Sequence, residues 1–382
     1  MKHVEYAVAT IGILLLIGCN WWGEGSKEWR YKGASKNIAL GADGTIYSSG
    51  YTIHAIDKDG KQIWISEDTV GSPVIGSDGT IYAKRGVSVY ALDPSDGSRI
   101  WEFETNGQIN GQPALSSDGT IYFCSSFIGG EERFLYAINP DGTLKWRVEP
   151  PGLSSGLFHS PSVGADGTIY IGERCLWAYN PDSTLKWVTC ELPYGNSYVS
   201  VGTVPAIGSD GTIYVLNPRY NELYAVNPDG SVKWSLGSLD VGDRIAPVIG
   251  SDGTLYTGGM GEKLYAINSD GTIKWEYATG DRITTSAVID EDETIFVGTD
   301  NGLLLAINSD GTLRWSFETK PGEENSGVVS IVLGPDSTVY VGSGRDDVYT
   351  EAQLFAIRGS VGLASSAWPM EGHDPQRTGR AE

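Results

Sequence analysis

Residues 251–275 read SDGTLYTGGMGEKLYAINSDGTIKW, with Asp-Gly-Thr, a short apolar and aromatic run, and Asp-Gly-Thr again before a Lys-Trp pair. Asp-Gly is a strong hairpin signal, because Gly takes positive φ without a Cβ clash. Two such turns in one unit predict four short strands folded as a meander, here over 246–249, 254–257, 264–268 and 273–277. The unit cannot bury both faces of its small sheet alone, so it needs neighbours of the same kind.

The rest of the chain supplies them. An Asp-x-Thr-apolar-aromatic signature begins at Asp43, Asp78, Asp118, Asp166, Asp210, Asp252, Asp292 and Asp336, at spacings of 35, 40, 48, 44, 42, 40 and 44. Glu293 and Ser337 replace the turn glycine in the last two copies. Periods near 40 mark repeat architectures, and four strands per repeat stacked around an axis give a propeller that leaves few free edges. The fold expected is all-β: an eight-bladed β-propeller of four-stranded antiparallel blades.

Tryptophans end the second signature at Trp64, Trp101, Trp146, Trp187, Trp234, Trp275 and Trp315. Trp29 precedes the first Asp-Gly turn by the same 14 residues that separate Trp64 from the second, and so supplies the eighth. That spacing predicts that the segment around Trp29 is the outermost strand of the last blade, closing the ring through the N-terminus. A competing assignment gives that place to residues 359–368, a Gly- and Ser-rich stretch ending at Trp368. Each indole is expected in the wedge between adjacent blades, where its burial is worth on the order of 2–3 kcal/mol.

Composition agrees with strands and tight turns: the 382 residues include 51 Gly, 20 Tyr and 12 Trp but 3 Met. The net charge of −21 repels nucleic acid and anionic headgroups, which argues against a nucleic-acid partner. At the N-terminus, Lys2 precedes an apolar run over 7–17, shorter than the roughly 20 residues that span a bilayer, so it reads as an export signal. Leu16-Ile17-Gly18-Cys19 resembles the lipobox of bacterial lipoproteins. That resemblance implies removal of residues 1–18 and a diacylglyceryl group on Cys19. Asn20 in place of Asp favours the outer membrane of a Gram-negative envelope. The expected organisation is signal 1–18, lipidated tether 19–27, propeller 28–358 and tail 359–382.

Cys124, Cys175 and Cys190 remain in an oxidising compartment. A two-residue loop at 182–183 would set Cys175 opposite Cys190, whereas a type I turn with a following bulge would put them on opposite faces. The sequence leaves both open.

The repeat as a whole, with YAINPDGTLKW at 136–146 and YAVNPDGSVKW at 224–234, resembles that of quinoprotein-type propellers. These are named after alcohol dehydrogenases that use pyrroloquinoline quinone (PQQ). The resemblance covers roughly 28–358, and residues 367–380, AWPMEGHDPQRTGR, look like a tail that accompanies such arrays in bacterial surface proteins. A PQQ enzyme of this kind implies Ca²⁺, cations at the quinone oxygens, a catalytic Asp and an adjacent-Cys disulfide; the chain has no Cys-Cys pair. His3, His54, His159 and His373 form no HxxxH or HExxH pair, and the Asp57 and Asp290 turns lack the closing Glu of a Ca²⁺ loop. No catalytic residue, metal or cofactor is therefore expected.

Function is expected on the long loops over 124–134, 150–159, 190–201 and 343–353, at Phe127, Phe158, Tyr194, Tyr198, Arg345 and Tyr349, with Arg244 and Arg282 in twin GDRI segments. The reading is a monomeric, non-enzymatic scaffold held to the membrane by its lipid alone, with envelope proteins or an extracellular ligand as partner. It is similar in size, anchor and blade count to the propeller lipoprotein of the outer-membrane barrel-assembly machinery.

Overall fold

The structure is a computed structural model that describes residues 23–33, 36–50, 52–66, 71–126, 133–151, 160–173, 175–190, 203–217, 220–241, 245–319, 327–344, 352–366, 369–374 and 378–381. Its strands form eight four-stranded antiparallel sheets, arranged as the blades of a propeller. In seven blades the four strands follow in chain order from the axis outward. In the sixth they are Val248–Ile249, Leu255–Gly258, Lys263–Ile267 and Ile273–Ala278.

That innermost strand is two residues shorter than its sequence suggests. Pro247 has no N–H to give to the ladder, and the same holds at Pro73, Pro161 and Pro205 in blades 2, 4 and 5. Serines and threonines of the innermost strands and of the segments leading into them tie neighbouring blades together around the axis. Ser330 Oγ accepts from the Ile38 N–H at 3.2 Å, and Ser160 Oγ from the Gln112 N–H at 2.7 Å. Ser162 Oγ donates to the Pro205 carbonyl at 2.6 Å, and Thr284 Oγ1 to that of Val328 at 2.6 Å.

The eighth blade closes the ring. Lys27–Lys32 is its outermost strand, pairing antiparallel with Gln353–Arg358 so that Trp29 lies opposite Ala356. Residues 359–368 do not take that place. Residues 23–26, assigned to the tether from the sequence, form the turn that leads into the closing strand: the Ser26 N–H donates to the Gly23 carbonyl, and the Gly25 N–H to that of Arg358.

The core lies between sheets instead of at one centre. Ala39, Tyr47, Ile53 and Trp64 of blade 1, for example, cluster with Ile75, Ile81, Ala83 and Leu92 of blade 2. Each blade therefore buries both faces, which explains the runs of consecutive buried residues in its middle strands.

The signature residues make each seam. Every named tryptophan sits 5.6–5.9 Å, centroid to centroid, from the aromatic residue of its own blade's Asp-x-Thr signature, as in Trp234 with Tyr214 and Trp315 with Phe296. Its other side meets the outer turn of the next blade. Trp234 Nε1 donates to the Ser269 carbonyl at 2.9 Å, and a Cβ on Gly271 would stand 2.8 Å from the indole. Trp29, Trp64, Trp101, Trp146, Trp187 and Trp275 donate in the same way to Lys58, Pro94, Pro140, Pro181, Pro228 and Ser309. Trp315 meets Gly25, in the turn before the closing strand.

Candidate functional site

The meander gives the propeller two unlike axial faces. The turns between first and second strands, and those between third and fourth strands of blades 1 to 7, lie on one, which we call the turn face. The hairpins between the second and third strands, and the connections to the next blade, lie on the other, the loop face.

The turn face is closed and regular. In most Asp-x-Thr turns the aspartate accepts from the backbone N–H two residues on, at 2.8–3.2 Å. In blades 3 to 6 a lysine from the outermost strand reaches the same carboxylate: Lys145 to Asp118, Lys186 to Asp166, Lys233 to Asp210 and Lys274 to Asp252, at 2.9–3.1 Å. Partial burial works against the charged form of these aspartates, but the Thr and Lys hydrogen bonds outweigh it and hold the carboxyls below their ordinary range. Such half-exposed pairs add at most about 1 kcal/mol each. They fasten turns and leave no reactive group. Asp57 caps its turn by accepting from the Asp59 and Lys61 N–H groups. Asp290 is fully buried, accepts from the Thr294 N–H and Ser360 Oγ, and has its pKa raised by burial.

The chain's own C-terminus lies across this face. The Ala364 N–H donates to the Ile289 carbonyl, and the Ile289 N–H to that of Pro369. Ser366 Oγ donates to the Ile249 carbonyl, and Ser286 Oγ to Glu371 at 2.9 Å. Further on, the Leu115 and Val163 N–H groups donate to the Thr378 and Gly379 carbonyls. The tail thus links the innermost strands of blades 6 and 7 to those of blades 3 and 4. Asp374 accepts from both the backbone and the hydroxyl of Thr378, and the Gly379 N–H donates to the Gly372 carbonyl.

The long connections leave and re-enter the described strands at the loop face. Phe127, Phe158, Tyr194, Tyr198, Arg244, Arg345 and Tyr349 lie outside the described residues, as does Cys19. Arg282 is placed: it is half exposed, pairs with Asp300 of its own blade, and points one guanidinium N–H at Met260 Sδ of blade 6, 3.8 Å away. Met260 is 53% exposed and Tyr220 is 41% exposed, each in the hairpin between second and third strands. Sequence reading passed over both, since neither breaks the repeat; only their exposure marks them.

Two buried features flank this face. Arg133 and Glu173, 5% and 4% exposed, join blades 3 and 4 through an ion pair of 3.3 Å. Cys175 and Cys190 form a disulfide at the mouth of the 190–201 connection. The turn over 180–184 does carry the type I geometry, with Ser183 at φ 73°, and shifts the register so that Tyr179 faces Leu185. A bulge one residue later restores it, with Ala178 facing Trp187 and Leu176 facing Thr189, so the cysteines meet.

A PQQ site would need cations converging on a tricarboxylate. Among the described residues, Lys84 Nζ donates to the Ile109 carbonyl at 2.9 Å, its pKa lowered by burial, and Arg133 holds Glu173. Among the described residues there is also no group of three His, Cys, Asp or Glu suited to a metal.

A curated relative, the serine/threonine-protein kinase AfsK of Streptomyces coelicolor, is 27% identical over 155 residues. That alignment spans 38% of this chain and 18% of the kinase. Among solved structures, BamB from Moraxella catarrhalis superposes with a TM-score of 0.66 over 87% of this chain and 97% of its own, at 15% identity. The computationally designed Ika8 protein gives 0.65 over 87% and 99%, at 12% identity. These likenesses show the fold. A family model described as Outer membrane protein assembly factor BamB matches the sequence over 23–126, 48–182, 85–244 and 221–362. These stretches together take in well over half of the chain, which therefore belongs to that PQQ-like propeller family.

Proposed function

We propose that the protein is a non-enzymatic, lipid-anchored scaffold of the bacterial cell envelope that offers its loop face to a protein partner. The observation that carries this reading is the difference between the faces. One is sealed by fifteen short turns and the chain's own tail, while the other is where the long connections leave and re-enter the described strands and carries the exposed Met260, Tyr220 and Arg282. Apolar side chains beside an arginine suit a protein surface, where Met, Tyr and Arg are enriched at contacts. The test is cross-linking from the loop face in intact envelopes. Met260→Asp and Arg282→Glu should reduce partner recovery at least several-fold with Tm unchanged, and Asp270→Asn on the turn face should not. Equal recovery by all three would refute the reading.

Membership in the BamB family favours a particular partner class, the outer-membrane barrel-assembly machinery. A pull-down from detergent-solubilised envelope that recovers its components supports this assignment, and one that recovers other envelope proteins removes it. The enzymatic alternative, PQQ-dependent oxidation of alcohols or sugars, predicts a thermal shift and dye reduction with PQQ and Ca²⁺. We expect neither.

A further inference from the structure

We propose that the N-terminal anchor fixes the orientation of the propeller on the membrane, with the turn face toward the bilayer and the loop face directed away from it. This rests on the reading of Cys19 as the lipidated residue. The closing strand Lys27–Lys32 runs from the turn face to the loop face: Trp29, near its start, donates to the Lys58 carbonyl in a turn of blade 1, and Gly33, after its end, bonds Ala352.

The chain therefore enters the fold at the outer rim of the turn face, and it is fastened there. Arg314 of blade 7 holds both carboxylate oxygens of Glu24 through its Nε and Nη2, at 2.9 Å each. Thr294 Oγ1 accepts from the same guanidinium at 2.8 Å. Gly25 lies against the Trp315 indole, and its N–H is bound by Arg358. Gly23 lies four residues after Cys19, a reach of at most about 14 Å even when fully extended. The six-residue outermost strand is about 20 Å long, which sets the height of the blade. A tether shorter than the blade cannot lay the loop face on the membrane that holds it. The turn face meanwhile carries the outer-turn carboxylates of Asp141, Asp182, Asp229, Asp270 and Asp310, each capping its own turn through the Thr or Ser two residues on, and these repel anionic headgroups and keep the face standing off at the tether's length.

The geometry is tested on the lipidated chain reconstituted into vesicles containing nitroxide-labelled lipid. In that chain the Cys19 thiol is alkylated, Cys124 is buried and Cys175 is bonded to Cys190, so a fluorophore can be placed on one introduced cysteine. Asp59→Cys reports the turn face, and Met260→Cys the loop face. Quenching several-fold stronger at position 59 is expected. Equal quenching, or stronger quenching at position 260, overturns the orientation while the anchor stands. A mature chain whose mass shows no diacylglyceryl group on Cys19 overturns the anchor reading itself and the orientation with it.

Discussion

A single side chain records the closure of the ring. His54, in the third strand of blade 1, is buried against the closing strand of blade 8: its Nδ1 lies 2.8 Å from the Tyr31 hydroxyl and its Nε2 2.8 Å from Thr52 Oγ1. Tyr31 gives its only proton to Gln62 Oε1, so Nδ1 must donate to the tyrosine oxygen, and Nε2 accepts from Thr52. The site suits a neutral imidazole, and burial lowers its pKa. The unfolded chain therefore binds a proton at higher pH than the folded one. Stability is full above about pH 6.5, the ordinary histidine value, and falls as pH drops from there through the depressed folded pKa. Urea denaturation at pH 7.5 and 5.5 should show this loss, and His54→Gln should flatten it. The aspartate–lysine pairs do not confuse the test, because their depressed carboxyls lose their contribution only in more acidic solution.

At the scale of the hairpin, the turn glycines do two separable jobs. Gly44 has φ +84° and nothing within 4 Å of a built Cβ, whereas Gly271 has φ +87° and the Trp234 indole at 2.8 Å. Gly44→Ala should cost about 1–2 kcal/mol, the price of a left-handed non-glycine residue. Gly271→Ala adds the displacement of the indole, for a total of about 2–3 kcal/mol. Chemical denaturation of the two variants separates the terms, and equal losses would show that the seam yields freely. The extra term is placed at the low end because Ser183 occupies the equivalent turn with φ 73°, and Trp146 still reaches the Pro181 carbonyl at 2.9 Å. The hairpin also shows where reading stopped short. Asn-Pro-Asp correctly announces the turn, but the compensating bulge that lets Cys175 meet Cys190, which recurs at the same place in the outer hairpins of blades 1 to 7, is not stated by the turn residues.

For the whole molecule, the tail is a second closure that crosses the axis. Removing residues 360–382 takes away the backbone bonds to Leu115, Val163 and Ile289, and uncovers the partner surface of the buried Met370. Truncation should lower Tm by several degrees and raise dye binding to newly exposed apolar surface, with the far-UV spectrum of eight blades retained. An unchanged Tm would mean that the clasp strand alone holds the ring.

The sequence alone determined the number of blades, their strand order and the presence of one signature tryptophan per blade, because these follow from spacing and from turn chemistry repeated along the chain. It also placed the closing strand, since Trp29 stands at the same distance from its turn as Trp64 does. Only the tertiary structure decided what lies far apart in sequence and near in space. The tail reaches the innermost strands of blades 3, 4, 6 and 7, and Arg314 grips Glu24 across 290 residues. Such contacts leave no period to read, since each occurs once and depends on where the ring brings two strangers together.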